Sequence, residues 1–204
     1  MLIPLRNYSN YSICESNIKI DDLVNFAEKE KLPAIALTDY KLLSGVLEFS
    51  IKCQKKGIQP IIGLDVDYLS LLKNYSRLTI LSKNENGFKN LNILSTKINT
   101  ENDFQLSLKN IKDFSDGNIL ILGGLYSYFE DLNINKNNLK AILDEINTLK
   151  KTFNSDIFFE LDENLDNKLL NELSQKCNIN CFLSSFSFYK QDKDFDAIKI
   201  LHCL

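Results

Sequence analysis

Histidine is nearly absent from this chain: among 204 residues there is one, His202, close to the end. Arginine is almost as scarce, with only Arg6 and Arg77. A lone histidine confines any Ser/His or Cys/His catalytic pair to His202. That residue falls in the apolar pattern of Ile198, Ile200, Leu201, Cys203 and Leu204, a terminal amphipathic helix, and reads as a packed or surface side chain. The sequence also has no P-loop, no G-x-G-x-x-G turn and no G-x-S-x-G elbow. Gly123-Gly124 after a strand is too little to hold a phosphate specifically. No apolar run approaches the roughly 20 residues of a membrane span. The start, Met1-Leu2-Ile3-Pro4-Leu5-Arg6, lacks the basic opening and long apolar stretch of a signal peptide.

Positive charge is not in excess. Twenty-four basic residues face 27 acidic ones for a net of −3, which argues against a protein built to coat nucleic acid. A hydrophobic fraction of 44% excludes a disordered chain and suffices for one sizeable core. The five cysteines, Cys14, Cys53, Cys177, Cys181 and Cys203, are odd in number and irregularly spaced. They form no disulfide framework, so a reducing cytoplasm is expected. Cys177-x3-Cys181 has no second Cys/His pair at zinc spacing, and buried free thiols are expected instead.

What is present is alternation. Strands are expected at 3–8, 34–38, 60–66, 77–82, 118–122, 156–161 and 180–184. Helices are expected at 21–31, 43–56, 85–98, 138–152, 167–177 and 193–203, with short turns near 107–114 and 126–131. The first helix is well punctuated, opening on Asp21-Asp22 and closing on Lys29-Glu30-Lys31 with Pro33 beyond. Asn133–Asn138 reads as a polar surface loop. Repeated strand–helix units predict a single α/β domain with a largely parallel sheet able to close into a barrel.

The remaining chemistry lies in carboxylates. In Gly63-Leu64-Asp65-Val66-Asp67, alternation puts Asp65 and Asp67 on one strand face with Gly63. Asp39, in Thr38-Asp39-Tyr40, sits at the end of another strand, where it could also be an N-cap or turn residue before the following helix. Two or three such carboxylates could hold a hard cation such as Mg2+.

The order of these segments resembles a known family. The stretches carrying it are Leu5-Arg6-Asn7-Tyr8-Ser9-Asn10-Tyr11-Ser12, Ile20–Val24, Leu32–Tyr40, Gly45–Phe49, Gly57–Val66, Leu81–Leu91, Ser184–Tyr189 and Ala197–Leu204. Together they are similar to the N-terminal PHP (polymerase and histidinol phosphatase) domain of bacterial DNA polymerase III alpha subunits. The resemblance implies a PHP-like distorted (β/α)7 barrel over residues 1–204, cut from a much longer polymerase chain. It also implies a barrel mouth where active members hold zinc or manganese on His, Asp, Glu or Cys ligands and cleave phosphoesters. Carried over residue by residue, the family's ligand positions fall on Arg6, Tyr8, Glu15, Tyr40, Asp65, Arg77, Gly124, Phe186 and Phe188. Of these only Glu15 and Asp65 are ordinary metal ligands.

The resemblance therefore implies a degenerate site with no catalysis and no cofactor. Guanidinium charge at Arg6 and Arg77, paired with Asp65 and Glu15, would replace the cations, and aromatic rings would fill the mouth. The expected role is to stabilise the polymerase and dock the proofreading exonuclease subunit, with DNA reached only through the rest of the polymerase. The alternative is a residual phosphoesterase or pyrophosphatase using Glu15, Asp39, Asp65 and Asp67 on one weakly bound Mg2+.

Overall fold

In the computed structural model, residues 3–124, 127, 136–162 and 166–184 are described. The expected helix at 193–203, His202, Phe186 and Phe188 lie outside them, as does most of the turn at 126–131. The described chain is mixed α/β, and its contacts divide it into one compact unit up to Leu64 and another from Asp65 to Ser184. None of the described helices is long and apolar enough to cross a membrane.

The first unit holds α1 (Ile20–Lys29), β1 (Ala34–Leu37), α2 (Val46–Lys55) and the start of β2 (Gln59–Leu69). Helix α1 buries Ile20, Leu23, Val24 and Ala27, the apolar stripe of a 3.6-residue period. Strands β1 and β2 pair in parallel, with Ala34 opposite Gln59 and Leu37 opposite Ile62. The segment expected as a strand at 3–8 forms no regular ladder. Pro4 has no N–H to give. The segment still runs beside β1, because Ala36 N–H donates to the Pro4 carbonyl (3.2 Å) and Thr38 N–H to that of Asn7 (2.9 Å). The Asn7 amide adds a bond to the Ala36 carbonyl at 2.9 Å.

The second unit holds the rest of β2, then β3 (Tyr75–Ser82), α3 (Glu85–Thr100), a 3-10 turn (Ile111–Phe114) and β4 (Asn118–Gly123). After these come α4 (Lys136–Thr152), β5 (Ile157–Asp162), α5 (Lys168–Cys177) and β6 (Cys181–Ser184). Its strands follow chain order across the sheet. Strands β4, β5 and β6 are parallel, but β3 and β4 run antiparallel, with Thr79 opposite Ile121. Within the expected largely parallel sheet this antiparallel pair is an exception with a traceable reason. A helix alone would return the chain for a parallel entry. Here α3 is followed by a return leg: Leu69 N–H binds the Leu106 carbonyl at 2.8 Å, and Lys83 N–H binds the Gly117 carbonyl at 2.8 Å. The chain thus comes back to the far end of β3 before β4 begins.

Candidate functional site

In the first unit the site is built around a carboxylate. Asp39, 1% exposed, follows β1 and accepts three hydrogen bonds from the loop after residue 8. Ser9 N–H reaches its Oδ1 at 2.6 Å, the Ser9 hydroxyl its Oδ2 at 2.7 Å, and the Ser12 hydroxyl its Oδ1 at 2.6 Å. Ser12 Oγ also accepts from Tyr40 N–H at 2.9 Å. Burial pushes the Asp39 carboxyl above the usual carboxylate range, and the serine donors pull against that rise. The helix-cap reading of Asp39 is corrected here, because the cap position of α2 is Gly45. Asp39 instead ties the Ser9–Ser12 loop to the end of β1.

Four of the positions that the resemblance singles out, Arg6, Tyr8, Glu15 and Tyr40, also lie in this unit. Arg6 is 1% exposed and Tyr8 is fully buried, so neither reaches for solvent. Tyr40 is half-buried, with the Lys41 ammonium 4.5 Å from its ring centroid, a cation–π contact. Lys41 holds φ 61, a left-handed conformation uncommon for lysine. Glu15 is half-buried. Nearby, Tyr11 donates to Glu48 Oε2 at 3.1 Å, and Lys52 ties Glu48 (2.7 Å) to Asp21 (2.5 Å). Hydrogen bonding to Lys52 holds Glu48 below its ordinary value, while the Glu48 partner raises Tyr11.

The second unit carries Asp65, Arg77 and Gly124. Asp65 is buried on β2 and accepts from Thr79 Oγ1 of β3 at 2.9 Å. Arg77, its side chain 15% exposed, sets Nε 3.9 Å from Asp67 Oδ1. Gly124, just past β4, is buried with φ 76. The sequence reading missed two buried carboxylates on β5, Glu160 and Asp162. The signal was available, since the alternation used for Asp65 and Asp67 also puts Glu160 and Asp162 on one strand face.

Of the pair expected as buried free thiols, Cys177 is buried and Cys181 is half-buried. Cys53 is buried as well, and burial pushes it up to about 11, while Cys14 is exposed in a loop with φ 66.

These donors do not fit a zinc or manganese cluster. Guanidinium cannot ligate a cation, and among the described residues no three His, Cys, Asp or Glu side chains stand where they could hold a metal ion together.

The family model for the PHP domain matches residues 4–164, and the chain belongs to that family. Within it, the chain is similar to DNA polymerase III alpha subunits. It is 31% identical over 173 residues to DNA polymerase III subunit alpha of Chlamydia pneumoniae, covering 78% of this chain and 14% of that protein. With the subunit alpha of Borreliella burgdorferi it shares 28% over 225 residues, 99% of this chain and 19% of that one. With that of Rickettsia conorii it shares 40% over 101 residues, half of this chain and 9% of that one. The chain thus spans less than a fifth of the length of these relatives.

Among solved structures, an amidohydrolase from Chromobacterium violaceum superposes with a TM-score of 0.61 at 10% identity, covering 98% of this chain and 97% of the other. A putative metal-dependent phosphoesterase from Bifidobacterium adolescentis gives 0.57 at 8% identity, covering 97% and 95%. At such identities the likeness establishes the fold alone.

Proposed function

We propose that this chain is the non-catalytic PHP region of a replicative DNA polymerase alpha subunit, working in the cytoplasm as a scaffold without a metal cofactor. One observation carries the reading: Arg6 and Tyr8 are buried, not solvent-facing, at positions where metal-holding members of the family place ligands. A buried guanidinium supplies fixed positive charge that needs no cation. Arg77 does the same beside Asp67. Asp39, which the phosphoesterase alternative needs as a ligand, already accepts three hydrogen bonds.

The scaffold stabilises the polymerase chain of which it is a part and docks the proofreading exonuclease subunit. DNA is reached only through the rest of the polymerase. Co-purification tests this: the full-length parent should retain the exonuclease subunit and lose it when residues 1–204 are deleted. Retention after deletion overturns the docking role. The phosphoesterase alternative, with Mg2+ on Glu15, Asp39, Asp65 and Asp67, has its own test. It requires turnover of a chromogenic phosphoester with Mg2+ or Mn2+ that Asp65→Ala abolishes.

A further inference from the structure

Arg77 is the only basic residue in strands β2 to β6. Those strands carry four carboxylates, Asp65, Asp67, Glu160 and Asp162. Three of them, Asp65, Glu160 and Asp162, are buried, with Glu160 at 0% exposure. An ionised carboxylate taken out of water is costly unless a positive charge or fixed donors balance it.

The ladders place the partners. Thr79 of β3 faces Ile121 of β4 in the last pair of that ladder, and the same antiparallel register carried two residues further brings Arg77 level with Gly123. Gly123 in turn pairs with Glu160 in the parallel ladder of β4 and β5. Residues directly opposite in a ladder project to the same face. Arg77, Gly123 and Glu160 therefore form one row, and it lies on the face that carries Asp65, since Thr79 reaches Asp65 across it.

The middle member of that row has no side chain. Gly123 adopts φ 105, and a Cβ there would lie 2.5 Å from the Glu160 carbonyl oxygen. Two strand spacings separate Arg77 from Glu160, about 10 Å between backbones, a gap within the combined reach of an arginine and a glutamate. A Cβ at 123 would also meet the Leu170 side chain of α5 at 3.2 Å, so the residue here must be glycine for the strands to pair this closely.

We propose that Glu160 is a positioning residue of the degenerate site: it is electrostatically coupled to Arg77 over Gly123, and Arg77 serves as a built-in counter-ion between Asp67 on one side and Glu160 on the other. This extends the metal-free reading above and rests on it. The two fail separately, because bound metal would defeat the reading and uncoupled mutations the pairing.

A thermal double-mutant cycle in the intact protein tests it. Arg77→Met lowers Tm by about 5 °C or more, because buried carboxylates lose their counter-ion. Adding Glu160→Gln to Arg77→Met raises Tm again, although Glu160→Gln alone lowers it. Adding Glu145→Gln, a buried carboxylate on α4 that binds Tyr68 at 2.6 Å, brings no such rise. A double variant melting at or below Arg77→Met overturns the coupling, and so does an equal rise from Glu145→Gln. If Arg77→Met alone does not fold, recovery of folded protein by Glu160→Gln is the supporting result, and failure to recover it is the contrary one.

Discussion

The Ser12 hydroxyl and the Asp39 carboxylate meet at 2.6 Å across 27 residues of sequence, with Ser9 closing on the same carboxylate from its backbone and its side chain. This knot holds the loop behind Arg6 and Tyr8 against the end of β1. In the first unit, the end of β1 and the loop after residue 8 are locked together by serine hydroxyls.

Asp39→Ala should cost about 3 kcal/mol, since it strands a buried N–H and two hydroxyls. Asp39→Asn should cost only about 1 kcal/mol, because the amide oxygen keeps the Ser9 N–H and Ser12 bonds and the amide nitrogen can donate to Ser9 Oγ. Urea denaturation of the two variants gives the comparison. Equal losses would show that the carboxylate is not the centre of the network.

The pH response of this site has a definite sign. Burial raises the folded-state Asp39 value above its ordinary one, so the native chain binds the extra proton. The resulting stability is present at low pH and is lost as pH rises from about 4 through the raised folded value. Relative to Asp39→Asn, the natural chain should therefore lose stability over that window. Denaturation midpoints of both proteins at several pH values check it, and a difference independent of pH contradicts it.

Three glycines separate close approach from backbone conformation. A Cβ at Gly87 would lie 2.0 Å from the Gly117 carbonyl oxygen, where α3 meets the turn before β4. Gly45 would press a Cβ to 2.8 Å from the Tyr11 ring and 2.9 Å from Ile20. Gly57, at φ 69, has nothing within 4 Å. Gly87→Ala should be the most damaging, Gly45→Ala should cost about 1–3 kcal/mol as its flexible neighbours yield, and Gly57→Ala about 1 kcal/mol from strain alone. Melting temperatures rank them.

Tyr8→Ala should lose about 3–5 kcal/mol, as a large ring leaves a closed core. Arg6→Met should cost about 3 kcal/mol by removing a buried charge from its balance. Chemical denaturation reads both. An Arg6→Met loss below about 0.5 kcal/mol would mean that the guanidinium carries no structural charge.

Much of the fold is legible in the sequence where local signals are strong. The acidic opening and basic close of α1 locate it at Ile20–Lys29 against an expected 21–31, and the apolar run at 60–66 lies within β2. The segment at 3–8 looks like a strand by composition, but Pro4 and the Asn7 side chain give it a different bonding pattern. The antiparallel entry of β4 depends on where the leg after α3 returns, which no local period encodes. In the site, Asp39 is visible as a carboxylate at a strand end, yet its partners lie 27 and 30 residues away and emerge only on folding. Glu160 and Asp162 are different, because strand alternation alone would have placed them on one face.

The central claim, a PHP domain whose site works without metal, is tested most directly by elemental analysis of the protein purified without chelators. The account predicts zinc, manganese and iron all far below one ion per chain, with Tm unchanged by EDTA. Stoichiometric zinc or manganese, lost with EDTA together with thermal stability, would contradict it.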